Sequence, residues 1–396
     1  MQAGGPGVVA ARIVLPHGGV GEAGTAATGA LATQSREKCG RPATLSRRYL
    51  ILPRMVRALS LLFFFFLSLA AAAPAAAQST ARAVTGLGPR LDRAASDPAM
   101  RPLKTVIVAR GGRVLAERGF RGHSPAESAN IKSASKAIVS ALVGIAIGKG
   151  LLEGPDQKIA PILKADLPES PDPRLNDITI GNLLSMQTGL DRMSGPNYGR
   201  WVSSRNWVRF ALSQPFVDRP GGEMLYSTAS THLLSAILTR VGRRSTLALA
   251  RDWLGPVEGF RIGAWEQDPQ GIYLGGNQMA MSARSLLAFG ELYRNGGKTA
   301  EGRQVVPGDW ISQSWQHRTN SRFSGDEYGY GWFTRQIGGE QVHFAWGYGG
   351  QMLYIVPSLD LTVVMTSEES GPSARNGYRD LLHGLLADII GAVRAA

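Results

Sequence analysis

Cysteine is almost missing from this sequence, since Cys39 is the only one in 396 residues. A single cysteine in a Gly- and Ala-rich N-terminal stretch excludes a disulfide, a cysteine-rich zinc site and thiolate catalysis. The six histidines (positions 17, 123, 232, 317, 343 and 383) never fall at metal-ligand spacing, so we expect no metal and no other cofactor. No Gly-x-Ser-x-Gly elbow occurs either, which argues against an α/β-hydrolase.

Acidic residues are too few to balance the basic ones, and the formal net charge is +13. Much of this excess is local: residues 1–77 contain eight Lys and Arg against two Glu, which leaves 35 basic and 28 acidic residues in the rest. Beyond residue 77 no run of like charges forms a phosphate-binding stripe. We therefore expect a small-molecule partner and no nucleic acid.

Residues 55–77 have the layout of a secretory signal peptide. Arg54 and Arg57 form a basic region, 59–69 is apolar, and 75–77 is a run of small residues suited to cleavage. The alternative is a retained membrane helix over 58–77, which would make this segment the chain's only membrane contact. The prediction is a mature protein that works in the periplasm or is secreted.

Residues 1–54 precede the predicted signal peptide and do not fit its layout. They show no sustained period, and we interpret them as a disordered extension or as sequence upstream of a true start at Met55. A second possibility is that Arg47-Arg48 belongs to a twin-arginine export signal. Both possibilities place the mature chain outside the cytoplasm.

The mature chain, 78–396, reads as one α+β domain. A Gly-Gly turn joins strands over 103–110 and 113–120, and an amphipathic helix over 378–394 ends the chain. Further strands are predicted at 328–336, 341–346, 352–356 and 361–366, and helices at 178–186, 232–241 and 279–294. This order predicts one antiparallel sheet built from both ends of the chain and flanked by helices, with a helical insertion at about 150–320.

The first candidate catalytic residues lie in Ser133-Ala134-Ser135-Lys136, at the start of an apolar helix predicted over 133–148. A spacing of three puts the Ser133 hydroxyl beside the Lys136 amine. Apolar surroundings lower the pKa of a lysine, and a neutral amine beside a hydroxyl is a general base beside a nucleophile. The alternative is a structural one, in which Ser133 caps the helix and Lys136 extends to solvent.

Three stretches give the chain a family resemblance. Ser-x-x-Lys at Ser133, Tyr226-Ser227-Thr228, and the segment 178–190 (ITIGNLLSMQTGL) occur in an order that resembles the serine β-lactamases and penicillin-binding proteins. The helix beginning Met-Ala-Met-Ser-Ala-Arg at 279 is similar to a later helix of that family. The resemblance covers about 100–390 and is strongest to the class C type, within the branch that contains 6-aminohexanoate-dimer hydrolase.

The resemblance implies a β-lactamase/transpeptidase-like fold and an acyl-enzyme on Ser133. Lys136 would activate Ser133, and Tyr226 would relay protons to the leaving group. Gly347-Tyr348-Gly349 would replace the family's Lys-Thr-Gly strand motif, so that the next residue, Gly350, would complete an oxyanion hole with the Ser133 N–H. Substrate would also meet Trp346 and Thr228.

The third motif departs from the family because it supplies aromatic rings and no cation. Penicillins and D-Ala-D-Ala peptides carry a carboxylate, so the sequence favours an esterase or amidase acting on substrates without one. A D,D-carboxypeptidase or β-lactamase is the first alternative, and a non-catalytic binding or sensor protein is the second. The motif also aligns with the family pattern when shifted by one residue, and His343 is a further candidate for the site.

Overall fold

A computed structural model describes residues 86–374 and 376–396. The predicted extension (1–54), the signal peptide (55–77) and Cys39 lie outside these residues. The helices are α1 (Leu87–Ser96), α2 (Ser135–Gly148), α3 (Ile180–Leu184), α4 (Tyr198–Val202), α5 (Trp207–Leu212), α6 (Thr228–Gly242), α7 (Thr246–Trp253), α8 (Ala283–Arg294), α9 (Gly308–Trp315) and α10 (Tyr378–Arg394). The strands are β1 (Leu103–Arg110), β2 (Arg113–Gly119), β3 (Ser128–Asn130), β4 (Ala264–Trp265), β5 (Met279–Ser282), β6 (Thr319–Asn320), β7 (Glu327–Tyr328), β8 (Phe333–Ile337), β9 (Glu340–Gly347), β10 (Gln351–Val356) and β11 (Leu361–Ser367).

The main sheet joins the two ends of the domain, as predicted. Its eight strands lie in the order β2-β1-β11-β10-β9-β8-β7-β6, with antiparallel pairing throughout. Val106 of β1 lies opposite Met365 of β11, so the first long strand pairs with the last. Gly111 and Gly112 take left-handed φ angles in the predicted β1–β2 turn, which a side chain would disfavour.

Two apolar layers cover the sheet. All six residues of β10 are buried, with Leu353 and Ile355 in the layer that contains α2 and Tyr354 in the layer that contains α1 and α10. Twelve consecutive residues of α2 are buried, as its nearly uniform apolar sequence predicts. A charged side chain in α2 therefore lies inside the protein.

Two predicted elements needed correction. The segment 279–294 does not begin as a helix: 279–282 alternates buried and partly buried residues and forms β5, a small sheet with β3 and β4, before α8 begins at Ala283. The segment 328–336 divides into β7 and β8, because Gly331, with φ of 84°, turns the chain against the backbone of Lys136. Both corrections arise from contacts outside the local sequence.

The region between 150 and 320 is helical, as predicted, and contains α3 to α9 together with β4, β5 and β6. Trp201, Trp207 and Trp253 are buried there, so these rings belong to the core. Over the described residues, no helix combines the length and the apolar character that crossing a bilayer would require.

Candidate active site

Ser133 lies in a tight turn between β3 and α2. The turn is a 3₁₀ helix over Lys132–Ala134, and α2 begins at Ser135, two residues later than the sequence predicts. Lys132 has a left-handed φ of 51°, held by a hydrogen bond from its N–H to the Asn130 side chain (2.9 Å). A non-glycine residue in that conformation costs about 1–3 kcal/mol, which the surrounding contacts must offset. The strained turn leaves Ser133 partly exposed at the mouth of a buried helix.

Lys136 lies one turn further on and points back to Ser133. Its Nζ is 3.0 Å from Ser133 Oγ, 2.7 Å from the carbonyl oxygen of Gly276 and 3.5 Å from Thr228 Oγ1. Only 2% of Lys136 is exposed, and no side chain caps α2. The alternative of a capping serine beside a solvent-reaching lysine is therefore wrong.

Burial without a counter-ion decides the charge of Lys136. Among the described residues its Nζ bonds to Ser133, Gly276 and Thr228 and to no carboxylate, and burial lowers its pKa from 10.5 to about 7. At pH 7 a large share of the lysine is thus a neutral amine. The cluster holds a proton acceptor within hydrogen-bond reach of a hydroxyl.

Tyr226 lies on a loop that the segment 178–190 supports. Leu225 N–H donates to the Met186 carbonyl (2.8 Å), and the Gln187 side chain donates to the Gly222 carbonyl (2.6 Å). The Tyr226 ring centroid is 5.0 Å from Lys136 Nζ. The segment 178–190 therefore supports the loop that carries the third functional group of the site, Tyr226.

The charge state of Tyr226 follows from its surroundings. Although part of the ring is exposed, burial of the hydroxyl raises its pKa to about 12, and a side-chain hydrogen bond with Ser133 opposes that rise. Its ring stacks on Phe333 at 6.2 Å. Tyr226 is a neutral phenol at neutral pH, so it donates a proton more readily than it accepts one.

Thr228 lies under the lysine. It is 4% exposed, its Oγ1 is 3.1 Å from Ser194 Oγ, and its N–H donates to the same Ser194 oxygen (2.9 Å). The sequence predicts a substrate contact at Thr228, whereas the structure shows a contact with Lys136. Ser194 was missed because no motif marks a single serine in a loop.

The third motif begins at Gly347, the last residue of β9. Gly347 pairs with Gln351 of β10, and a Cβ at Gly347 would collide with the carbonyl oxygen of Ile131, two residues before Ser133. Tyr348 is half exposed, and Trp346 is partly exposed. The structure thus brings this motif beside the Ser133 turn, as predicted.

The assignment of Gly350 to the oxyanion hole is corrected by the structure. Its N–H donates to the Gly347 carbonyl (3.1 Å) and closes the β9–β10 turn, and a Cβ there would meet Tyr378 and Leu382. By contrast, the N–H groups of Ser133 and Tyr348 donate to no protein group within 86–374 and 376–396. The register shift of two residues moves the candidate donor to Tyr348.

A buried cation that no sequence motif indicates lies behind Trp346. The Arg379 guanidinium is 4.8 Å from the Trp346 ring centroid and pairs with Asp326 at 3.3 Å, and Asp326 also pairs with Arg335 at 3.0 Å. Arg379 is 9% exposed. Its guanidinium is therefore already paired with a buried carboxylate and is poorly accessible to a substrate carboxylate.

His343 does not join the cluster. Its Nδ1 is 2.8 Å from Thr334 Oγ1, its ring stacks on Trp315 at 4.2 Å, and burial lowers its pKa to about 4. Within the described residues no three His, Cys, Asp or Glu side chains converge as metal ligands.

Gly276 allows a direct test of the lysine geometry. It has φ of 76°, and a Cβ would lie 2.7 Å from Lys136 Cγ, so Gly276→Ala should displace the amine. We expect kcat/KM on an activated ester to fall about 10- to 100-fold, the scale for small misplacement of a catalytic group. Gly271→Ala is the matched control, because Gly271 has φ of 81° and open surroundings. Equal losses in both variants would attribute the effect to backbone strain alone.

The fold and this cluster define a class: a serine hydrolase with a β-lactamase/transpeptidase fold, in which serine, lysine and tyrosine meet at the start of the central helix. The chain belongs to the Beta-lactamase family, whose model matches residues 94–388. The fold and the family expected from the sequence are both confirmed.

Solved structures agree on the fold at low identity. A structure titled as a putative 6-aminohexanoate-dimer hydrolase from Bacillus anthracis has a TM-score of 0.63 and 19% identity, covering 74% of this chain and 80% of its own. EstCE1, described as a hydrolase with promiscuous acyltransferase activity, has a TM-score of 0.63 and 18% identity, covering 78% and 99%. A class C β-lactamase from Rhodobacter sphaeroides has a TM-score of 0.58 and 17% identity, covering 77% and 99%. No curated protein shows significant sequence similarity to the chain.

Proposed function

We propose that this protein is an exported serine hydrolase that cleaves a small ester or amide through an acyl-enzyme on Ser133. The observation that carries the proposal is the 3.0 Å contact between Ser133 Oγ and the Nζ of a lysine that is 2% exposed and has no described carboxylate partner. Such a lysine supplies a base without an accompanying histidine.

The first chemical step uses each group in the state that the site gives it. Neutral Lys136 takes the proton of Ser133 Oγ while the oxygen attacks the substrate carbonyl carbon. The N–H groups of Ser133 and Tyr348 stabilise the oxyanion of the tetrahedral intermediate. Tyr226 donates its proton to the leaving alcohol or amine and regains one from the Lys136 ammonium, which leaves Ser133 acylated and Lys136 neutral. Water then attacks the ester carbonyl, the acid departs, and Ser133 recovers its proton.

The walls of the site favour an uncharged acyl or leaving group. The exposed parts of Tyr226, Trp346 and Tyr348 present aromatic surface, and the nearby Arg379 charge is paired with Asp326. This arrangement supports an ester or amide substrate in preference to one that needs a cation for its carboxylate. EstCE1, which shares the fold and is described as a hydrolase with promiscuous acyltransferase activity, agrees with this proposal.

Cell-wall and β-lactam chemistry is the second candidate function, because a class C β-lactamase and a penicillin-binding-protein homologue share the fold.

A substrate panel separates the two candidate functions. It contains p-nitrophenyl esters of two to eight carbons, p-nitroanilides, a linear 6-aminohexanoate dimer, a D-Ala-D-Ala peptide and a fluorescent penicillin. We expect turnover of esters or amides with only transient penicillin labelling. Durable penicillin labelling or peptide trimming would favour the second candidate, and no turnover with no labelling by a fluorophosphonate would leave a binding or sensor protein.

Export is proposed from the sequence of 55–77 alone. Expression of the full chain in a bacterium, followed by fractionation and N-terminal sequencing, tests it. We expect a periplasmic or secreted product that begins near Gln78. A cytoplasmic product that retains 55–77 would contradict export.

A further inference from the structure

We propose that His232 is a positioning residue for Lys136, acting through the loop that carries the Gly276 carbonyl. The inference rests on the proposed role of Lys136 as the general base. His232 lies on α6, one turn after Thr228, and is completely buried between Trp201 and Trp207, with ring centroids 5.6 Å from each. The mechanism above makes no use of it.

Asp268 fixes the orientation of the imidazole. Asp268 Oδ2 is 3.0 Å from His232 Nε2, and both side chains are fully buried. The other carboxylate oxygen, Oδ1, accepts hydrogen bonds from the N–H groups of Gln270 and Ile272, each at 2.8 Å. Because His232 Nδ1 accepts a hydrogen bond from the Gly275 N–H, the ring proton is on Nε2, which donates to Asp268 Oδ2. The lone pair of the neutral ring then lies on Nδ1.

The Nδ1 lone pair accepts a hydrogen bond from the first residue of the loop Gly275-Gly276, in which the Gly276 carbonyl binds the Lys136 amine. Gly275 N–H points to His232 Nδ1 at 3.4 Å, and a Cβ at Gly275 would collide with the backbone of α6 at Thr231. The next residue, Gly276, accepts the hydrogen bond from Lys136 Nζ at 2.7 Å. Asp268, His232, Gly275 and Gly276 therefore form a continuous path that ends at the catalytic amine.

The path determines where the amine lone pair points. A neutral amine that donates one proton to the Gly276 carbonyl, and one towards Thr228 Oγ1, directs its lone pair at Ser133 Oγ. If the loop moves, the amine keeps its burial but loses this direction. The expected signature is a lower kcat with little change in KM, since no substrate contact is removed.

Two substitutions of His232 distinguish its hydrogen bond with Gly275 from its hydrogen bond with Asp268. In His232→Asn the side-chain oxygen occupies the place of Nδ1 and can still accept from Gly275 N–H, whereas His232→Leu retains neither bond. The control is His383→Leu: His383 is also buried and bonded, to Tyr354 (3.1 Å), but lies in the layer of α10 on the other side of the sheet. All variants are assayed as the folded full chain, with thermal unfolding measured in parallel.

We expect kcat on the best ester to fall about 10- to 100-fold in His232→Leu and less than about fivefold in His232→Asn, with KM within about twofold in both. His383→Leu should lose stability while keeping kcat. A wild-type kcat for folded His232→Leu would overturn the inference, and so would equal losses in the Asn and Leu variants.

A readout that needs no activity keeps this inference separate from the proposed function. Titration of the Lys136 side chain by ¹³Cε NMR, assigned with Lys136→Met, follows the amine directly. We expect the midpoint in His232→Leu to differ from wild type by more than about 0.5 pH units, with His232→Asn and His383→Leu close to wild type. If no substrate is turned over, a moved midpoint still supports the positioning role and only the hydrolase proposal fails. Identical midpoints in wild type and His232→Leu would overturn the positioning role.

Discussion

Ser133→Ala should lower kcat/KM on the best substrate of the panel by about 10³- to 10⁶-fold, the range for removal of a catalytic serine nucleophile. The substitution removes one oxygen from a partly exposed position and leaves Lys136 bonded to Gly276 and Thr228. We therefore expect the variant to remain folded, with a thermal unfolding midpoint close to wild type. The measurement is steady-state kinetics together with intact mass after exposure to a fluorophosphonate.

The matched control is Ser140→Ala, one turn beyond Lys136 in the same helix. Ser140 is buried, and its hydroxyl has no hydrogen-bond partner within the described residues. This control should keep wild-type activity and remain labelled at Ser133. A Ser133→Ala enzyme that retains more than about a tenth of the wild-type rate would show that another group is the nucleophile.

Lys136→Met should abolish activity to a similar extent and make the protein more stable at pH 7. Lowering the lysine pKa from 10.5 to about 7 corresponds to a cost of about 5 kcal/mol for burying the charged form. Methionine fills nearly the same space without that cost, although the Gly276 carbonyl loses its donor, which costs about 1–3 kcal/mol. We expect a net gain of roughly 2–4 kcal/mol in the free energy of unfolding by urea.

The pH dependence of this gain identifies its cause. Between pH 7 and 10.5 the unfolded lysine holds a proton that the folded one has lost, so wild-type stability rises with pH across this window. The advantage of Lys136→Met should therefore shrink from pH 7 to pH 10. Lys149→Met, at the exposed end of α2, should change stability by less than about 0.5 kcal/mol at both pH values. The contrary result is a Lys136→Met variant that is less stable than the wild type and whose free energy of unfolding changes with pH as the wild type's does. That result would mean that Lys136 is a charged structural residue.

The sequence predicts the elements whose pattern is local. The β1–β2 hairpin follows from the apolar, β-branched run over 103–110 and the Gly111-Gly112 turn, and α10 spans Tyr378–Arg394 as predicted. The proximity of Ser133 and Lys136 follows from helical spacing, and the burial of the lysine follows from an apolar helix without a polar face. These features depend on residues that are close together in the chain.

The remaining features depend on contacts between distant segments. The β9–β10 turn uses the Gly350 N–H internally, and a motif register cannot show which N–H a turn consumes. Asp326 and Arg379 are 53 positions apart, and His232 and Asp268 are 36 apart, so no spacing rule joins either pair. The short strand β5 was not predicted, because four residues at the start of a helical pattern are too few to reveal the two-residue alternation of a strand.

The role of Lys136 as the base is tested most directly by the rate constant with which a fluorophosphonate modifies Ser133. This rate constant is measured by intact mass from pH 5 to 9. Because the proposed mechanism requires the neutral amine of Lys136 to accept the serine proton, the rate should be lost as pH falls through the lysine pKa of about 7. We predict a tenfold fall per pH unit below about pH 6, a plateau above about pH 8, and no inflection in the residual labelling of Lys136→Met. A rate that does not change over this range, or an adduct on a residue other than Ser133, would contradict the account.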